Sequence, residues 1–96
     1  MNGYRHIVVV DIEHTCTDDG STPPEARETI EIGAALIDTT SLQVVDEFSR
    51  LVRPATHPKL SQFCTELTGI TQTELYVADP CPNVFANFIN WLPRRF

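Results

Sequence analysis

Ninety-six residues suffice for one small domain or part of a larger one, with a modest core whose stability suffers if any face stays uncovered. A hydrophobic content of 42% with 21% charged residues excludes a disordered segment and describes a globular chain. Its 13 acidic against 7 basic side chains, net −6, exclude a protein that coats nucleic acid by neutralising phosphates, which needs a basic face. A chain that grips one strand end through bound metal ions stays open, because the ions bring their own positive charge.

The first predicted element is a strand over residues 6–13, in "HIVVVDIEHTC". Ile7, Val9, Asp11 and Glu13 share one face, and Val8, Val10 and Ile12 the other. Apolar residues on both faces predict a central strand buried on both sides. Residues 17–28, "TDDGSTPPEARE", read as a polar loop rich in turn formers. "TIEIGAALID" (29–38) and "VVDEFSRLV" (44–52) are two more strands, and "TTSLQ" between them is short enough for a hairpin. The first half is therefore a three-stranded antiparallel meander.

The period then changes. Leu60, Phe63, Cys64 and Leu67 stand at i, i+3, i+4 and i+7, an amphipathic helix with Pro58 in its first turn and Gly69 just past its end. Thr71 with Glu74 forms a candidate capping box that opens another short helical turn. Val84, Phe85, Phe88, Ile89 and Leu92 mark a last amphipathic helix, with Trp91 on its shoulder and Pro93 stopping it. The fold class expected is α/β: three antiparallel strands followed by two helices.

Cys16, Cys64 and Cys81 are an odd number without a C-x-x-C pair, so disulfides are not expected and a reducing cytoplasm is the default location. No apolar run is long enough for a signal peptide or a membrane span, so a membrane partner is not expected either.

Asp11 and Glu13 carry the chemistry. Residues two apart on a strand project to one face, about 6.6 Å apart at the backbone. Carboxylates so placed repel unless a cation lies between them, and Mg²⁺ or Mn²⁺ suits hard oxygen ligands of this kind. The bland alternative is a solvated strand end, common in a chain with 13 acids. Placement behind an aliphatic run, on a strand apolar on both faces, raises the metal reading to equal standing with the bland one.

Two enzyme families put acid-x-acid at the end of a central strand. "DIEHT" is near the Asp-x-Asp-x-Thr of haloacid dehalogenase-type phosphatases, but here the second acid is Glu and a meander follows where a helical crossover would be expected. The series "VVVDIEHTC", "ETIEIGAALID", "FSRLVRP" and "KLSQFCTELTGIT" instead resembles the DEDDh group of 3′–5′ exonucleases, of the RNase T and polymerase-proofreading kind. Within it, the ERI-1-like and KapD-like branch is the most similar, over about residues 6–92.

This resemblance implies an RNase H-like fold and metal-dependent hydrolysis at the 3′ end of single-stranded RNA or DNA, with two divalent ions, Mg²⁺ or Mn²⁺, as cofactors. It makes Asp11 and Glu13 the first two catalytic, metal-binding acids, and Thr15 a contact to the terminal nucleotide near its 3′ hydroxyl. Leu67, Thr68 and Gly69, in "LTGI", correspond to the segment lining the terminal-base pocket, although Leu67 also completes the core stripe of its helix. His14 stands where a small residue is more usual. Glu31, in "EIGA", reads as structural support, and His6 and His57 as surface residues.

The family's third acid, its catalytic histidine and its last Asp belong to motifs beyond the point matching Leu92. Residues 1–96 are accordingly expected to be the N-terminal part of an exonuclease domain, inactive alone. A non-catalytic interaction or regulatory fragment is the alternative. The first strand's second edge would then lack a partner, so a homo-oligomer is expected, through edge pairing or exchange of the C-terminal helix.

Overall fold

The computed structural model describes residues 5–93. Three long strands follow one another: β1 (His6–His14), β2 (Thr29–Asp38) and β3 (Val44–Arg53). Helix α1 (Gln62–Thr68), the short α2 (Gln72–Tyr76), a two-residue strand β4 (Asp79–Pro80) and helix α3 (Cys81–Trp91) complete the described chain. The sheet order is β1-β2-β3-β4, antiparallel through the meander and parallel where Val52 and Arg53 meet Asp79 and Pro80. The expected α/β meander and two amphipathic helices are present, α2 is the short turn expected after Thr71, and β4 is added.

Strict alternation along β2 decides which face is inside. Ile30, Ile32, Ala34 and Leu36 are buried, while Glu31, Gly33, Ala35 and Ile37 between them are only partly covered. Helix α3 covers the inner face: Val84, Phe88 and Trp91 pack with Ile32, Ala34, Phe48 and Val52. Phe48 anchors an aromatic group, its ring 5.5 Å from Phe88 and 5.7 Å from Trp91, and the Trp91 indole N–H donates to Asp46 Oδ2 at 2.9 Å. A second cluster gathers Ile30, Leu60, Cys64, Ile70 and Leu75, joining α1 and α2 to the start of β2. Complete burial of Leu75 or Val84 is worth about 1.5–3 kcal/mol each, so these few side chains dominate the attachment of the helices.

Local chemistry sets the helix ends. Ser61, not Pro58, opens α1: its Oγ accepts from Cys64 N at 3.0 Å, and Pro58 lies outside the helix. Gly69 closes it with φ 77°, a left-handed conformation that costs glycine nothing. Thr71 and Glu74 form the complete capping box of α2.

The expectation of a first strand buried on both sides is corrected. Among the described residues β1 is an edge strand, and Val9, Val10 and Ile12 are 52%, 47% and 50% exposed. The pattern was right about the residues, which are apolar on both faces, and the described chain leaves them half uncovered.

Candidate active site

The β1–β2 ladder positions the two acids. Asp11 pairs with Gly33 and Glu13 with Glu31, so these residues share the sheet face opposite Ile32 and Ala34. The register shifts immediately after Glu13, with His14 opposite Thr29, which leaves Ile30 as the extra residue on β2. A bulge of this kind bends the strand and re-aims the side chains beside it.

Asp11 is exposed and Glu13 partly so, and neither carboxylate has a hydrogen-bond or ion-pair partner among the described residues. Glu31 is likewise unpartnered. Read in the sequence as structural support, it faces Glu13 directly across the ladder, a register that the alternation of one strand does not show. Like charges directly opposite destabilise a ladder, and a cation would relieve them. The donor set fits a hard divalent ion in type. It is incomplete in number, since among the described residues no three His, Cys, Asp or Glu side chains gather into a metal-binding group.

Thr15 sits where the chain leaves β1. Its N–H donates to Glu28 O at 2.8 Å, and its Oγ1 accepts from Glu28 N at 2.9 Å. With that lone pair taken, the hydroxyl proton remains free. The neighbouring His14 is exposed, with its Nδ1 3.1 Å from the Thr15 carbonyl.

Helix α1 is tied to the same segment. Ser61 Oγ donates to Cys16 O at 2.6 Å, and the Cys64 thiol lies 3.8 Å from His14 O. Burial, with Cys64 alongside, pushes the Cys16 thiol up to about 11, so it stays protonated and unreactive at neutral pH.

Leu67, on the last turn of α1, is 66% exposed and belongs to neither core cluster among the described residues. Thr68 Oγ1 donates to Cys64 O at 2.8 Å and accepts from Ile70 N at 3.2 Å, while Gly69 N donates to Thr65 O. The Thr68 hydroxyl and the Gly69 N–H thus take part in ending the helix.

Glu28 was missed in the sequence. Its carboxylate accepts from three backbone N–H groups, Ala55 at 2.7 Å, Thr56 at 3.1 Å and His57 at 2.8 Å, and His57 Nδ1 lies 3.7 Å away. Burial works to raise its pKa, but these N–H groups outweigh burial and hold it below the usual value. One residue therefore fixes both Thr15, through its backbone, and the 55–57 loop, through its side chain. His57 is exposed, as expected.

Comparison with known proteins agrees with this arrangement. The family model described as RNase T, exonuclease, matches residues 8–95. Human 3′-5′ exoribonuclease 1 is 39% identical over 92 residues, 96% of this chain and 26% of its own length. Among solved structures, the nuclease domain of 3′hExo, a DEDDh family member bound to rAMP, superposes with a TM-score of 0.86 at 39% identity, covering 94% of this chain and 44% of that one. A structure of 3′-end specific recognition of histone mRNA stem-loop by 3′-exonuclease gives 0.85 at 39% identity, over 92% and 30%. The chain thus spans about a quarter of the human relative that it matches. No helix among the described residues is long and apolar enough to cross a membrane. With the matched region covering nearly all its residues, the chain belongs to the RNase T-type exonuclease family, and its fold is that of the RNase H-like DEDDh nuclease domains.

Proposed function

We propose that this chain carries the first metal-binding pair and part of the terminal-nucleotide cradle of a 3′–5′ exonuclease acting on RNA ends. The observation that carries this reading is the pair of unpartnered carboxylates, Asp11 and Glu13, on one sheet face with Glu31 opposite. RNA is favoured over DNA because the human relative is named an exoribonuclease and a matched structure contains an mRNA stem-loop.

Asp11 and Glu13 would be first ligands to Mg²⁺ or Mn²⁺, two ions in the complete site, which when bound supply an activated water and charge compensation at the leaving oxygen. The Thr15 hydroxyl, its acceptor side occupied by Glu28 N, donates to the 3′ oxygen of the terminal nucleotide. Leu67 offers an exposed apolar surface to the terminal base. Thr68 and Gly69 act indirectly, by ending α1 so that Leu67 is presented. Residues 1–96 are then the part of the domain holding its first motif, and the remaining ligands and the base come from other segments. Self-association, by β1 edge pairing or exchange of α3, is a second property of the isolated chain.

The test is end-dependent binding. Fluorescence anisotropy with Mn²⁺ should show the chain binding a linear single-stranded RNA and discriminating against a circular RNA of the same sequence. Glu13→Gln should abolish the difference. Equal binding of linear and circular RNA would contradict the reading, and robust 3′ trimming by this chain alone would show that the first motif suffices for turnover.

A further inference from the structure

Cys16 and Cys64 are two thiols that the candidate site does not use, and the fold brings them together. Cys64 is fully buried in the cluster with Ile30, Leu60, Ile70 and Leu75, and the partly buried Cys16 packs against that cluster. The two thiols are near enough to hydrogen-bond each other, one of the causes that keep Cys16 protonated. Cys81, exposed at the first position of α3, belongs to neither core cluster.

The segments that carry the pair are already stapled. Ser61 Oγ donates to Cys16 O at 2.6 Å and accepts from Cys64 N at 3.0 Å, so one side chain bonds the backbone of both cysteines. The Cys64 thiol also lies 3.8 Å from His14 O. Exposure divides the roles. Cys16 can meet a solvent-borne oxidant, whereas the fully buried Cys64 can react only with what Cys16 presents to it. Cys64, Arg27 and Glu13 act on the Cys16 thiol, and of these only Arg27 favours the thiolate. Attack through the small thiolate fraction is therefore slow at neutral pH, and the pair answers sustained oxidation rather than a pulse.

We propose that Cys16 and Cys64 form a reversible disulfide that locks α1 to the exit of β1 under oxidation. With hydrogen peroxide as the oxidant, the Cys16 thiolate attacks one oxygen, giving a sulfenic acid and hydroxide. Cys64, as its thiolate, then attacks the Cys16 sulfur, forms the S–S bond and expels a second hydroxide. The two thiol protons convert these hydroxides to water. Together the sulfurs lose two electrons to the peroxide, and excess thiol such as glutathione returns them. The bond lies next to Thr15 on one side and one helical turn from Leu67 on the other, so oxidation fixes the spacing of two segments that the reduced chain holds by hydrogen bonds and packing. This lock is a property of the fold and does not rest on the function proposed above.

Peroxide oxidation of the folded chain tests this, in a Cys81→Ser background that removes the exposed third thiol. The monomer should become lighter by two hydrogen atoms, and trypsin should release residues 6–27 linked to residues 60–94. The oxidised chain should melt about 10 °C higher. Its α1 amides should exchange about tenfold more slowly, and dithiothreitol should reverse both effects. Linkage should speed up about tenfold per pH unit from pH 7 to pH 9, since Cys16 titrates above that range. Cys16→Ser, at a partly exposed position, should remove the linked peptide and both gains while circular dichroism shows the fold intact. Sulfenic or sulfinic acid at Cys16 without the link, or a link that forms only in urea, overturns the disulfide. A link that leaves melting and α1 exchange unchanged overturns the lock. None of these readouts involves metal or nucleic acid, so failure here leaves the proposed function standing, and failure of that function leaves this lock standing.

Discussion

Glu13 stands directly opposite Glu31 across the β1–β2 ladder, and neither carboxylate has a hydrogen-bond or ion-pair partner among the described residues. An apolar or oppositely charged residue at either position would make a stronger ladder, so the pairing has a cost in the metal-free chain. Asp11, two residues along β1, adds a third negative charge on the same face. Under the proposed function, a divalent cation would relieve this repulsion.

Glu31→Gln should therefore stabilise the metal-free chain by roughly 0.2–1 kcal/mol. Thermal melts in chelator measure this, and the gain should shrink when Mn²⁺ is added. A destabilised Glu31→Gln in chelator would mean that Glu31 serves the fold in a way that the repulsion does not describe.

Glu28 gives the chain an acid-sensitive clamp. Its folded pKa lies below the ordinary 4.5, because the N–H groups of residues 55–57 outweigh burial. The clamp's stabilisation is accordingly complete above about pH 4.5 and is lost as pH falls through the lower folded value. Glu28→Gln should cost about 1–3 kcal/mol at neutral pH and flatten the acid limb of the stability curve. Denaturant melts between pH 3 and pH 7 measure both; an unchanged acid limb would count against the clamp.

Most of the local features were legible in the sequence because their causes are local. Gly69 ends α1, Thr71 and Glu74 cap α2, and the alternation of β2 shows its buried face, all within a few residues. The Asp11–Glu13 pair was legible for the same reason, from the two-residue period of a strand. Pro58 misled because a better cap, Ser61, stands three positions on, with its hydroxyl already in the right place. Leu67 kept two readings in the sequence because helical spacing shows which residues share a face and not whether anything covers it. Strand β4 and the Glu28 clamp depend on contacts between distant residues, Val52 with Asp79 and Glu28 with Ala55, which leave no periodic trace.

The β1 edge carries a third expectation. Val9, Val10 and Ile12 are half exposed on a strand with an open side, and α3 leaves Phe85 53% exposed. Edges of this kind pair with other chains. Light scattering over a concentration series should show association of the isolated chain. Val10→Lys should weaken it about tenfold or more, since a charge on an edge opposes pairing. A concentration-independent monomer that melts cooperatively would contradict this.

The central claim is that Asp11 and Glu13 hold a divalent ion, and manganese titration followed by water proton relaxation tests it most directly. Two carboxylates without a full ligand set should bind weakly, in the range from tens of micromolar to millimolar that is on the order of sparsely liganded oxygen sites. Asp11→Asn should remove the relaxation enhancement while circular dichroism shows the fold intact. Relaxation enhancement that persists undiminished in the folded Asp11→Asn chain would place the ion elsewhere and remove the basis for the proposed function.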